Sequence, residues 1–426
     1  MRVLVVNHYA VPGGAGGGTR HVDLARHWAQ DGHSTVIVAS SFNHFAPGRR
    51  LAPVTPIADG AELRARWTPG YAGNGIGRVV DMLWFAAGVS ATRKRSLDRP
   101  DVVIGSTPHP LAAYGALRLA RRLRVPFVLE IRDLWPQTLI DLGGLSAASP
   151  IARALFRLEA SLLRSAALVV YVPPAADNYF RERGLRLQAA VHVPNATTTQ
   201  APDPDLRHPV LDVIDEQHRE GRVVFSYTGA LGHANDLPAL IAAAHLAADK
   251  KAFLLICGDG PERPGLESLL QGGPGNVQLV GQVPKPVAFA VQRASDANVF
   301  HLRPAAVFRY GLSPNKLADY LMSGRPLLYA GPEVDNPAGR AGSGVVAAPS
   351  DPSSIAAAMV SIISMSAEER SSRGARGRAF AEVHHTTERT SRDYIDALGT
   401  AIESLGRRTP AAFRAGRRSR LWPPVR

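Results

Sequence analysis

A single cysteine, Cys257, in 426 residues means that no internal disulfide can form and no paired-cysteine zinc site can exist. A reducing compartment suits such a chain. Long apolar runs are also lacking. A bilayer span takes roughly 18 to 20 apolar residues, and the nearest run, residues 79–89, is shorter and carries Asp81. The N-terminus has one arginine before a short apolar run and no small-residue cleavage pattern, so a cytoplasmic protein is expected rather than a secreted one. Acidic residues are in deficit, 36 against 49 basic, for a net charge of +13. Arg407, Arg408, Arg414, Arg417, Arg418, Arg420 and Arg426 supply seven of those charges with no acid among them. Such a tail either attracts phosphates of nucleic acid or anionic lipid, or is simply solvated. Hydrophobic residues at 45% and charged at 20% exclude a disordered, collagen-like or coiled-coil chain. The length predicts two domains or a little more.

Residues 1–7 read as a buried strand, 12–18 as a glycine loop, 19–30 as a helix and 36–39 as the next strand. Short continuous apolar strands alternating with helices predict a parallel sheet covered on both faces. The pattern continues through strands at 102–104, 127–130 and 167–171, with helices at 111–122 and 151–165. A Pro/Asp/Thr-rich connector, residues 194–208, precedes a second unit with strands at 223–227, 253–257, 277–279, 297–302 and 326–329. Its helices are read at 237–248, 315–323 and 353–365. Two such units leave a cleft where the carboxyl ends of their strands face each other.

The glycine loop opens a helix, where backbone N–H groups can meet an anion. It is not a dinucleotide fingerprint, because Asp31 lies too near for the ribose acid and Asn43 is uncharged. Gly17 and Gly18 are expected to contact substrate instead. Glu130, Arg132 and Asp133 end a strand facing the cleft, and His109 follows another strand end. These are candidates for acceptor binding or proton handling, with a Glu130 ion pair to Arg132 or Arg20 and a turn-bracing His109 as the alternatives. The run 79–89, flanked by Arg78, Arg93, Lys94 and Arg95, reads either as core or as a membrane-interface segment offering Met82, Leu83, Trp84 and Phe85.

Pro194-Asn195-Ala196, Tyr227-Thr228-Gly229-Ala230-Leu231-Gly232, Cys257-Gly258-Asp259-Gly260-Pro261 and the stretch from Ser313-Pro314-Asn315-Lys316 to Gly324-Arg325-Pro326 occur in that order. Together they resemble the donor-binding half of glycosyltransferase family 4, retaining enzymes of the two-domain GT-B fold. Gly17-Gly18-Thr19-Arg20-His21, Gly105-Ser106-Thr107-Pro108-His109-Pro110 and Glu130-Ile131-Arg132-Asp133-Leu134-Trp135-Pro136 resemble the branch with L-fucosamine transferases of O-antigen and capsule synthesis. The resemblance covers residues 1 to about 400.

It implies an α/β chain with two Rossmann-like doubly wound parallel-sheet domains facing a central cleft. Residues 1–200 would form the acceptor side, 201–395 the nucleotide-sugar side and 396–426 a helix and basic tail. Asp319, five residues before Gly324, stands where the family holds the ribose hydroxyls, and a carboxylate suits a diol. An earlier acid usual in the family is replaced by Gly311, and a usual basic pair by Ala230 and Asn235. The diphosphate would therefore fall to Lys316, Arg303 and Arg309, with Gly229 and Ser313-Pro314-Asn315 supplying close backbone and a helix N-terminus. Asp133, Glu130 and His109 are the catalytic candidates, and Asp133 or Glu130 would accept the acceptor hydroxyl proton. No metal and no cofactor beyond the nucleotide-sugar substrate is implied.

The resemblance points to a transferase of a hexose, of N-acetylated or deoxy type, from a UDP-linked donor to a lipid-linked or glycan acceptor. Contact with the inner face of the membrane would use residues 79–95 and the tail. A nucleotide-sugar 2-epimerase on the same fold and a nucleic-acid-binding protein acting through the tail are the rival functions. No recognised nucleic-acid motif accompanies the charge, so no specific nucleic acid is expected.

Overall fold

Apolar strands four to seven residues long alternate with amphipathic helices and assemble into two sheets. The computed structural model describes residues 1–426 except 13–17, 47, 74, 94–97, 108, 201–202, 204, 335 and 416–426, and the side chains at 405–415 are likewise outside the description. The first sheet comprises β1 (Arg2–Val6), β2 (Ser34–Ser40), β3 (Val54–Ala58), β4 (Ala61–Arg66), β5 (Val102–Thr107), β6 (Phe127–Ile131), β7 (Leu168–Tyr171) and β8 (Ala190–His192). Their order is β3-β4-β2-β1-β5-β6-β7-β8, parallel but for the β3/β4 pair. The second holds β9 (Val223–Thr228), β10 (Ala252–Cys257), β11 (Val277–Gly281), β12 (Ala297–His301), β13 (Leu327–Ala330) and β14 (Gly344–Val346) in the order β11-β10-β9-β12-β13-β14. All of its pairings are parallel. In each sheet the strand order reverses beside the first strand, and loops leaving in opposite directions there open a crevice at the carboxyl ends.

The strands β5, β6 and β10 are buried along their whole length, as continuous apolar runs in a doubly covered sheet must be. Helix α1 (Arg20–Gln30) turns Val22, Leu24, Ala25 and Trp28 into the core. Helix α2 (Ile76–Ser90) and helix α3 (Pro110–Leu123) lie side by side, so close that a side chain at Gly115 would meet the Ala86 carbonyl at 2.8 Å.

Three expectations change. The β3–β4 hairpin was not legible, because β3 is a largely exposed edge strand containing Pro56 and β4 interleaves the charges Glu62, Arg64 and Arg66 with the buried Ala61 and Leu63. Helix α2 splits the run between two faces: Met82, Phe85 and Val89 are core, so Met82 and Phe85 are not available for insertion, whereas Leu83 and Trp84 are exposed. The final helix, Thr387–Ala415, returns to the first unit, where Tyr394, Ile395 and Leu398 join its core and Trp28 Nε1 donates to the Ser391 carbonyl at 3.0 Å.

Candidate active site

The second unit contributes an enclosed cation. β9 ends at Tyr227-Thr228, and the glycine turns behind β9 and β10 interlock: a side chain at Gly260 would meet the Leu231 carbonyl at 2.5 Å. Behind these turns Lys316, on the first turn of the helix Asn315–Met322, donates from Nζ to Asn235 Oδ1 at 2.8 Å and to the Tyr227 hydroxyl at 3.0 Å. The ammonium stands 4.4 Å from the Tyr227 ring centroid and 5.4 Å from that of Phe300. Among the described residues it has no carboxylate partner, and burial pulls its pKa down to about 7. Asn235, where the family resemblance looks for a base, instead presents an amide oxygen to this lysine. Gly229 packs against it, its Cβ position lying 3.5 Å from Lys316 Cδ.

The chain between the units is fastened to this helix. Asn195 N–H donates to Ser313 Oγ at 2.9 Å, and the Asn195 side-chain amide donates to the Ser313 carbonyl. Thr197 Oγ1 donates to Asp319 Oδ1 at 2.5 Å. Asp319 keeps a second oxygen without a protein partner among the described residues. Burial pushes its carboxyl up, against the pull of Lys285 and the Thr197 hydrogen bond.

Two of the candidates in the first unit turn out to be structural. Glu130 is wholly buried, with Oε1 accepting from Arg20 Nε at 3.0 Å and Oε2 lying 2.8 Å from His21 Nε2. Burial pushes it up, but His21 and Arg20 outweigh that and hold it well below the carboxylate range. With one oxygen bonded to Arg20 and the other against His21, and no exposed surface, Glu130 does not face the cleft, and of the ion pairs considered the one with Arg20 is formed. His109 is equally buried. Its Nδ1 accepts the Ala112 N–H that opens α3, and its Nε2 lies 2.8 Å from His8 Nδ1. His8 Nε2 in turn lies 2.9 Å from Asp81 Oδ2. The chain of bonds puts both protons on Nε2, and burial pushes both imidazoles down. His109 therefore braces a turn instead of facing substrate.

Asp133 does open onto the cleft. It lines a cavity of about 250 Å³ between the units together with Arg132, Asn195, Gly311, Ser313, Pro314 and Asn315. Its side chain is accessible there, yet the surrounding protein pushes the carboxyl up, opposed by Arg132. The missing acid at Gly311 has a steric reason: φ is +81° and a Cβ would meet the Pro174 ring at 2.4 Å.

The remaining cations are differently engaged. Arg303 pairs with Asp236 at 3.0 Å, and exposed Arg309 pairs with Glu182 at 2.8 Å, so both charges expected at the diphosphate are already neutralised by carboxylates. Gly18 is held at φ +75°, where a Cβ would strike the Tyr9 carbonyl at 2.4 Å, and Gly17 lies outside the described residues. Tyr227, Asn195 and Thr197 were missed as site residues. Asn195 and Tyr227 fall within the motifs that carry the resemblance but their roles were not legible there, and Thr197 falls in none of them, since their partners lie 118, 89 and 122 positions away. No group of three or more His, Cys, Asp or Glu side chains able to hold a metal ion occurs among the described residues.

Residues 15–196 match the family described as glycosyl transferase 4-like domain, and residues 222–365 match glycosyl transferases group 1. No curated protein matches the chain. Among solved structures it is similar to sucrose-phosphate synthase from Thermosynechococcus elongatus, at 16% identity over 96% of this chain and 100% of that one, with a TM-score of 0.73. HepE of Anabaena in complex with UDP is similar at 14% identity over 94% and 100%, with a TM-score of 0.68. A trehalose-6-phosphate structure from E. coli bound with UDP-2-fluoro glucose follows at 14% over 93% and 99%, with a TM-score of 0.67. The two family matches fall one on each parallel-sheet unit, on either side of the cavity that Asp133 and Asn315 line, and so the chain is a glycosyltransferase of the GT-B fold, built from a glycosyl transferase 4-like domain and a glycosyl transferases group 1 domain.

Proposed function

We propose that the protein is a retaining glycosyltransferase that moves a sugar from a UDP-linked donor to a lipid-linked or glycan acceptor in surface polysaccharide synthesis. The observation that carries this reading is Lys316, held between Tyr227 and Asn235 with no carboxylate partner among the described residues, at the N-terminal turn of a helix beside the cleft. A desolvated ammonium and a helix N-terminus together favour an anion, and a diphosphate leaving group is where negative charge develops as the sugar bond breaks. UDP is the bound nucleotide in the similar HepE structure. Asp319, one turn along the helix from Lys316, takes the ribose diol on its open oxygen. Asp133 orients the acceptor hydroxyl and receives its proton. Front-face attack assisted by the donor phosphate needs no protein nucleophile, so Glu130 and His109 have no chemical step to perform.

A screen that follows UDP or GDP release from a panel of nucleotide sugars tests the assignment. Within it, Asp319→Ala lowers UDP affinity by on the order of ten- to a hundredfold, the value of a hydrogen bond to a charged group, about 1.5 to 3 kcal/mol. Pyrophosphate affinity stays unchanged, because the loss is at the ribose. Equal UDP affinity in the variant removes Asp319 from the site.

The outer face of α2 supports a membrane-bound acceptor. Ile76, Val79, Val80, Leu83 and Trp84, all between 46% and 83% exposed, follow a helical repeat, and Trp67 stands 5.5 Å from Trp84. Arg78 and Arg93 flank this stripe, Lys94 and Arg95 lie outside the described residues, and so do the tail's arginine side chains. No helix among the described residues is long and apolar enough to cross a membrane. Anionic liposomes should co-sediment the protein at low and high salt, and Leu83→Ser/Trp84→Ser should abolish the high-salt fraction. Each large apolar side chain is worth about 1.5 to 3 kcal/mol on burial, whereas the charge contribution is screened. Salt-resistant binding by the double variant would disconnect α2 from the membrane.

A further inference from the structure

Two guanidiniums at one corner of the first unit have opposite surroundings. Arg20 is satisfied throughout: Nε donates to Glu130 at 3.0 Å, one terminal nitrogen to the Pro194 carbonyl at 2.6 Å and to Asn195 Oδ1 at 3.2 Å, the other to the Val193 carbonyl at 2.9 Å. Glu130 is in contact with Arg20 and His21 and reaches Arg132 only as a more distant charge, without an ion-pair contact. Arg132 stands two residues on, where β6 gives way to the loop that borders the cavity. Its side chain forms no hydrogen bond or ion pair among the described residues, and its buried Nε has no partner. Asp133 is its electrostatic neighbour without being in ion-pair contact. A guanidinium remains charged under all ordinary conditions, so the cavity wall carries a partly buried cation that is influenced by Glu130 and Asp133 but contacted by no carboxylate among the described residues. Leu134, Val307 and Phe308 make much of the wall apolar, which strengthens any charge pairing inside.

We propose that Arg132 is a second oxyanion-binding residue of the cleft, receiving a negative group other than the nucleotide diphosphate. That group is a carboxylate on the transferred sugar or a phosphate on the acceptor, either of which fits the planar fork of a guanidinium. The proposal rests on Lys316 and the helix Asn315–Met322, both of the second unit, holding the donor diphosphate. Arg132 comes from the opposite unit, next to Asp133, and marks the side on which the transferred sugar and acceptor meet. An enzyme so equipped discriminates in favour of an anionic substrate.

The test uses the full chain and its Arg132→Leu and Arg132→Lys variants, titrated by calorimetry with UDP, UDP-glucose, UDP-glucuronate, pyrophosphate alone and pyrophosphate added to UDP-saturated protein. If the charge is on the sugar, wild type binds UDP-glucuronate more tightly than UDP-glucose. If it is on the acceptor, wild type binds pyrophosphate on top of UDP. Arg132→Leu loses the relevant preference by about ten- to a hundredfold, Arg132→Lys keeps part of it, and UDP itself binds all three alike. Because Arg132→Leu removes an unpaired cation, its melting temperature should equal or exceed that of wild type, which separates loss of binding from loss of folding. Wild type and Arg132→Leu behaving alike with every anionic probe would overturn the proposal. Failure of wild type to bind UDP would instead sink the donor reading. Arg132 is then judged on pyrophosphate alone, and equal affinity in wild type and Arg132→Leu overturns it.

Discussion

Lys316→Met should weaken UDP binding by at least about a hundredfold while raising the melting temperature. The ammonium has only a phenol and an amide as partners, at 3.0 and 2.8 Å, so in the empty protein a desolvated positive charge is held without a counter-ion. Charge-assisted hydrogen bonds to phosphate are worth about 1.5 to 3 kcal/mol each, and more than one is lost. Methionine fills a similar volume between Tyr227 and Phe300 without the charge.

The stability gain has a definite pH signature. The folded lysine titrates at about 7 and the unfolded one at the ordinary 10.5. Between those values the unfolded chain binds more protons, so wild-type stability rises with pH across that window. The advantage of the methionine variant is therefore largest below pH 7 and fades towards 10.5. Binding carries the opposite signature: UDP affinity falls as pH rises above 7, and association takes up a proton. Calorimetry in buffers of different ionisation enthalpy measures that uptake. A UDP affinity flat from pH 6 to 9 with no proton uptake would show that Lys316 does not meet the diphosphate.

Asp133→Asn should lower transfer by about a hundred- to ten-thousandfold, the usual contribution of a positioned proton acceptor, while leaving UDP affinity and the melting temperature nearly unchanged. The side chain forms no hydrogen bond among the described residues and is accessible within the cavity, so the amide has no contact to break. Its carboxyl is pushed above the ordinary range by the enclosing protein. A base displaced upward brings its pKa closer to neutral operating pH and accepts a proton more readily in the transition state. In wild type, transfer should rise as pH climbs through this displaced pKa, and the asparagine variant should lose that limb. Full transfer by the variant would leave Asp133 as a lining residue only.

Much of the architecture could be read directly from residue order. The continuous apolar strands, the glycine turns after β9 and β10 and the polar connector between the units are local patterns, and doubly covered parallel strands have little freedom to appear otherwise. Elements with a mixed pattern escaped: the edge strand β3 is largely exposed, β4 alternates charge with the buried Ala61 and Leu63, and α2 carries apolar residues on both faces, one against α3 and one exposed. Among the candidates, residue type and position at a strand end could not separate Glu130 from Asp133. They lie three positions apart, one turned into the sheet between Arg20 and His21, the other beyond the last strand residue at the cavity.

The sequence by itself determined two parallel-sheet units and the presence of Lys316, Asp319 and Asp133 at helix and strand ends. Tertiary structure alone decided which charges are cancelled. Arg303, Arg309, Arg20 and Glu130 find opposite charges, several from residues far away in the chain, whereas Lys316 and Arg132, both partly buried, contact no carboxylate among the described residues. The physical reason is that a side chain's type sets the charge it can carry, but its surroundings set whether that charge is neutralised by the fold or left for a ligand.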